Sequence, residues 1–179
     1  MLTIVEHHSS SYGPRTFHNA KAADLTVAIA VDYSTFGEKL TMKAAGSHFI
    51  ACPFKTDALT NARELYKSLY RWRASVLNVA GNGMSTFVKH DVTQEQVNQY
   101  IFDILSTVHK HYPLAGIVSG GQTGADIAGA AVGYKLGIAT TVTLPHGFKQ
   151  RDTTGVDSNH TQKEIRQQIL DFAEKIYAA

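Results

Sequence analysis

The sequence predicts an α/β fold: a mostly parallel sheet with helices on both faces, in one three-layer domain spanning residues 1–179. Three features carry that expectation. Apolar runs of strand length recur along the chain, helical stripes lie between them, and one run ends in a glycine pair that opens into a helix of alanine and glycine. Strands alternating with helices favour parallel pairing, because the helices act as crossovers that cover the sheet.

The runs are "LTIV" at Leu2–Val5, "LTVAIAV" at Leu25–Val31, "HFIAC" at His48–Cys52 and "SVLNVA" at Ser75–Ala80, then "LAGIVS" at Leu114–Ser119 and "ATTVTL" at Ala139–Leu144. Most are apolar nearly throughout instead of alternating, as strands covered on both faces are. Between them, Ala62, Leu65, Tyr66, Leu69 and Trp72 form one helical stripe. A second runs through Val97, Tyr100, Ile101, Ile104, Leu105 and Val108, with Thr93 and Gln96 as a capping box and Pro113 as its stop. Ile165, Ile169, Phe172 and Ile176 make a third. Met42, Met84 and the aromatic side chains are assigned to the core. No repeat, low-complexity tract or linker divides the chain.

Composition narrows the class. Hydrophobic residues make up 44% of the chain, which fits a globular domain. No window approaches the roughly 18 apolar residues of a membrane span, and "MLTIVEHHSSSYG" lacks the basic and apolar regions of a signal peptide. The single Cys52 excludes an internal disulfide framework and agrees with a reducing compartment, so a cytoplasmic location is expected. A net charge of +2, with Arg71 and Arg73 as the densest basic cluster, argues against nucleic acid as a partner. Homo-oligomerisation is left open.

The stretch "SGGQTGAD", Ser119–Asp126, carries the main functional signal. In a parallel sheet ligands bind beyond the carboxyl ends of the strands, where the next helix presents unpaired N–H groups. Gly120 and Gly121 stand at that junction and would let a phosphate or ribose approach the main chain. Gly124 opens the helix, whose positive end favours an anion. Neither a Walker sequence nor the full dinucleotide fingerprint is present. The alternative is a tight strand-to-helix turn with Thr123 as N-cap and Asp126 at N3.

"SGGQTGAD" resembles the "SGGQTGxD" loop of the molybdenum carrier family, a branch of the SLOG superfamily of Rossmann-like proteins, which also includes the lonely-guy-type phosphoribohydrolases. "LPHGFKQRDTTG", Leu144–Gly155, is similar to that family's "CPKGRxAEDG" segment. The order of parts differs. "RTFHN" at Arg15–Asn19, "STFGEKLT" at Ser34–Thr41 and "NVAG" at Asn78–Gly81 resemble segments that follow the glycine loop in the family but precede it here. The resemblance therefore implies a circularly permuted, Rossmann-like, nucleotide-binding member.

It also implies a geometry. A nucleotide or nucleotide-derived ligand, such as NAD, ADP-ribose or a nucleoside monophosphate, would lie between Ser34–Thr41 and Gly120–Asp126. Ser34, Thr35, Gly37, Gly120, Gly121, Gln122, Thr123, Gly124 and Asp126 would contact it, with Asn78, Gly81 and Asn82 nearby. Arg15 and Asn19 would close the side, and His146 and Lys149 would reach a phosphate. Gly121→Val is expected to abolish binding and leave the fold intact.

Individual residues admit two roles. Asp126 could accept ribose hydroxyls or cap its helix; Glu38 could contact ribose or be an exposed first-turn acid; Arg15 could pair with phosphate. The rival function is N-glycosidic hydrolysis of a nucleoside monophosphate, with Glu38 and Asp126 as catalytic carboxylates. Against it, the "PGGxGTxxE" loop of the phosphoribohydrolases is absent. No metal is expected: His7 and His8 are adjacent and point apart in extended chain, His109 and His111 fall on different helix faces, and no spacing matches a zinc site. A Ser-His-Asp hydrolase lacks its nucleophile elbow, and single-strand DNA handling lacks a basic groove.

Overall fold

The apolar runs become strands and the stripes become helices in a computed structural model that describes residues 1–177. β1 (Leu2–Glu6), β2 (Leu25–Ala30), β3 (Phe49–Pro53), β4 (Val76–Gly81), β5 (Gly116–Ser119) and β6 (Ala139–Leu144) form one parallel sheet in the order β1-β6-β5-β4-β2-β3. The helices are α1 (Tyr12–Lys21), α2 (Phe36–Ala45), α3 (Ala58–Trp72), α4 (Met84–Phe87), α5 (Gln94–His111), α6 (Ala125–Lys135) and α7 (Gln162–Lys175). Helices α1 and α2 pack together on one face; α3, α5, α6 and α7 pack side by side on the other. The α/β, Rossmann-like, three-layer expectation holds.

Burial explains the apolar strands. Every residue of β2 is buried, and Leu77, Val79 and Ala80 of β4 are buried beside it. Helix α6 is the most enclosed helix. All nine residues from Ala125 to Gly133 are buried between α5, α7 and the sheet. A Cβ at Gly129 would lie 2.5 Å from Val79, so the bare helix is one that rests directly on β4. The predicted capping box of α5 is present, with Thr93 accepting from the Gln96 N–H and Gln96 accepting from the Thr93 N–H.

Several expectations need correction. Met42 and Phe36 are exposed, at 43% and 82%, while Met84 is in the core. Tyr66 and Trp72 of the α3 stripe are also exposed, because Ala62, Leu65 and Leu69 already fill its contact with the sheet. His7 and His8 do not point apart; their rings stack with centroids 4.1 Å from each other. A short hairpin of β7 (Gln150–Arg151) and β8 (Asp157–Ser158) was not anticipated, since strands of two residues carry no readable period.

Helix α7 lies against the edge strand β1. Gln162 donates to the Ile4 carbonyl and, one turn later, Arg166 donates to the Leu2 carbonyl. The helix thus runs antiparallel to β1 and ends near that strand's beginning. Packing completes a β6–α7–β1 unit that no peptide bond closes. No helix among the described residues is long and apolar enough to cross a membrane.

Candidate functional site

Parallel strands end at one edge, so the loops after β2, β4 and β5 must meet there, and Asn82 ties them. Its Oδ1 accepts from the Val31 and Asp32 N–H groups at 2.9 and 3.0 Å. Its Nδ2 donates to the Asp32 carbonyl at 2.9 Å and to Glu38 Oε1 at 3.3 Å. Its carbonyl accepts from the Ala125 N–H of α6. This side chain is fully engaged by the protein and serves as a knot between loops, not as a reader of a base or sugar.

The glycine loop is likewise turned inward. A Cβ at Gly120 would enter the ion pair of Arg15 with Asp126. Gly121, at φ +67°, packs where a Cβ would lie 2.7–2.9 Å from Val142 and Leu144. Gly124, at φ +94°, presses on the Asn82 carbonyl and on Gly83. Two of its N–H groups are also taken: Gly121 donates to Ser119 Oγ at 3.1 Å, and Gly124 donates to Gln94 Oε1 at 2.7 Å. Gly124 itself is the N-cap of α6, which places Asp126 at N2; neither Thr123 as cap nor Asp126 at N3 is what forms.

Gln122 and Thr123 hold the hairpin. Gln122 Nε2 donates to the Lys149 carbonyl at 2.7 Å while its Oε1 accepts from the Arg151 N–H at 3.0 Å. Thr123 Oγ1 donates to the Arg151 carbonyl at 2.6 Å, and Gln150 returns a bond to the Gly121 carbonyl. The bareness of the loop is explained by what the chain itself packs against it.

The open space lies on the opposite side. A cavity of about 780 Å³ is bounded by the first turns of α1 and α2, the end of β4 and the hairpin, a size within the range of small-molecule sites. Of the residues singled out by sequence, Arg15, Asn19, Thr35, Gly37, Glu38, Asn78, Gly81, Asn82, Gln122, Thr123, Asp126 and Lys149 line it. Ser34, Gly120, Gly121, Gly124 and His146 do not. Ser34 turns to Asp32, and His146 faces outward to Glu6 at 3.3 Å. The sequence reading missed Tyr12, Phe36, Arg151 and Asp157, which also line the cavity. A helix over Tyr12–Lys21 was readable from Pro14, since proline loses nothing in a first turn.

Buried charge is concentrated here. Arg15 Nη1 meets Asp126 Oδ2 at 3.1 Å, with both side chains under 10% exposed. Burial pushes the Asp126 carboxyl up, and Arg15 pulls it back. Glu38, only 2% exposed, is pushed up to about 8, chiefly by burial and then by Asp126, against the Asn82 hydrogen bond. Near neutral pH it is therefore largely protonated. The earlier alternative of an exposed first-turn acid is excluded.

Cations and helix ends face the same space. The Tyr12 ring lies under Lys149 Nζ at 4.9 Å and Arg151 Cζ at 5.1 Å, and its hydroxyl donates to Asp157 at 2.9 Å. Asp157 also pairs with Arg151 at 2.8 Å, which holds its carboxyl below the usual range. Helix α1 starts at Ser11 with no side-chain cap, so its first-turn N–H groups are open to an anion.

Some buried polar atoms have no partner. Among the described residues seven such side-chain atoms occur, and five belong to this cavity: Arg15 Nε, Asn19 Nδ2 and Oδ1, Glu38 Oε2 and Asn78 Oδ1. Buried polar groups are normally satisfied, and leaving one unmade costs about 1–3 kcal/mol. No group of three or more His, Cys, Asp or Glu suited to a metal ion occurs among the described residues. Compared with protein-family models and with curated proteins, the chain matches none.

Proposed function

We propose that this chain binds a nucleotide or nucleotide-derived ligand in the cavity between the first turns of α1 and α2 and the β7–β8 hairpin. The carrying observation is the cluster of unpartnered buried polar atoms on Arg15, Asn19, Glu38 and Asn78. A ligand rich in hydrogen-bonding groups would satisfy them together. The cations Lys149 and Arg151 and the uncapped start of α1 suit an anionic group at the rim. The resemblance to SLOG proteins, including the molybdenum carrier family, supports the same ligand class. The position of β1 against α7 fits the permuted reading, since joining the two would give an ordinary crossover.

Replacing both Lys149 and Arg151 by alanine should weaken AMP or ADP-ribose binding by about ten-fold or more in calorimetry. Melting temperature should change little, because Arg151 is exposed and Lys149 half-buried on the hairpin, away from the core. Unchanged affinity for a nucleotide that the wild type binds would remove the anion end from the cavity.

A second reading, N-glycosidic hydrolysis, is favoured by one observation: Glu38 is held near 8 beside a second buried carboxylate, Asp126. A carboxylic acid in that range can give a proton to a leaving base near neutral pH. Release of free base from a nucleoside monophosphate, lost in Glu38→Gln, would establish it.

A further inference from the structure

We propose that the floor of this cavity reads sugar hydroxyl groups, so that the ligand lies sugar-inward with its anion at the hairpin, and ribose is selected over 2-deoxyribose. The inference rests on the nucleotide reading above and deepens it.

It follows from what the unpartnered atoms require. Asn19, 1% exposed, has a donor and an acceptor both unmade. Asn78, 3% exposed, spends its Nδ2 on Thr26 Oγ1 at 3.2 Å and leaves Oδ1 unmade. Glu38 leaves Oε2 unmade, and Arg15 leaves Nε. The buried Glu38 carboxyl is largely protonated and its Oε1 accepts from Asn82, so Oε2 is a donor: three donors, Arg15 Nε, Asn19 Nδ2 and Glu38 Oε2, stand among two acceptors, Asn19 Oδ1 and Asn78 Oδ1. An ionised phosphate offers only acceptors, so it would leave Asn19 Oδ1 and Asn78 Oδ1 unmatched. A hydroxyl both donates and accepts, and satisfies either kind of atom.

The anion has a better place. Tyr12, the first helical residue of α1, touches both Lys149 and Arg151. Asp157 pairs with both, at 3.9 Å to Lys149 and 2.8 Å to Arg151, so two cations and the positive end of α1 meet a single carboxylate on the hairpin side of the cavity. A site built to bond a hydroxyl rejects the analogue that lacks it, because its own buried groups stay unpaired.

The test compares matched pairs on the full chain by calorimetry: ribose 5-phosphate against 2-deoxyribose 5-phosphate, and AMP against 2′-deoxy-AMP. In the pair that binds, the deoxy member should be at least about ten-fold weaker, the loss expected from one unmade buried hydrogen bond. Asn19→Leu, which removes an unmade donor and an unmade acceptor at similar volume, should narrow that ratio. Lys149→Ala should weaken both members alike and leave the ratio unchanged. Equal affinity for the two members, or a ratio altered by Lys149→Ala, would overturn the orientation while leaving nucleotide binding in place. Binding of none of the four compounds would overturn the inference, and the nucleotide reading falls with it if ADP-ribose and NAD also fail to bind.

Discussion

Gly121 and Asp126 show how one residue can be conspicuous in sequence while its reason lies elsewhere in the chain. The Gly120-Gly121 pair is legible as a backbone with a special demand. What it meets is not, because Val142, Leu144 and Arg15 come from distant segments. Gly121→Val should therefore damage the fold itself, by about 2–4 kcal/mol from positive-φ strain and overpacking, read as a lowered urea midpoint. That outcome replaces the sequence-based expectation of an intact fold. Asp126→Asn should cost about 3–5 kcal/mol, because it strands a buried Arg15 without its partner. Restoring most of that stability with an apolar residue at Arg15 in the same chain would separate the pair's structural role from ligand binding.

At the scale of elements, the six sheet strands could be read almost to the residue, since β2 and β4 are buried on both faces and carry continuous apolar runs. Helices α3, α5 and α7 were legible from their stripes. Helix α6 was legible only through its glycine opening, for a helix buried all round has no polar face to set a period. The hairpin escaped, and with it Arg151 and Asp157 at the rim of the candidate site. Its place is set by Gln122 and Thr123, whose partners are main-chain atoms of Lys149 and Arg151 that no sequence pattern encodes. Gln122→Ala should loosen this element alone. Amide exchange or proteolysis over residues 149–158 should speed up, with protection of β4 and β5 unchanged. Equal loss of protection throughout the sheet would show that the loop supports the core, not the hairpin.

Over the whole molecule, the buried carboxyl of Glu38 links stability to pH. Its folded value of about 8 lies above the ordinary 4.5. Below 4.5 the group is protonated in both states and costs nothing. As pH rises from there toward 8 the unfolded chain releases the proton first, so stability falls across that window and levels off above it. Glu38→Gln lacks this term, and its stability relative to wild type should rise across the same window in urea titrations. A difference that stays flat between pH 5 and 8 would mean that Glu38 is ionised in the folded protein.

The central claim is that the polar cavity, and not the packed glycine loop, holds a nucleotide-like ligand. The most direct measurement incubates a stoichiometric excess of protein with AMP, NAD, ADP-ribose and related nucleotides, retains the protein on a filter, and chromatographs what passes through. Selective depletion of one intact nucleotide, reduced in the Lys149→Ala, Arg151→Ala double variant, is the predicted result. A filtrate identical to the input would contradict it.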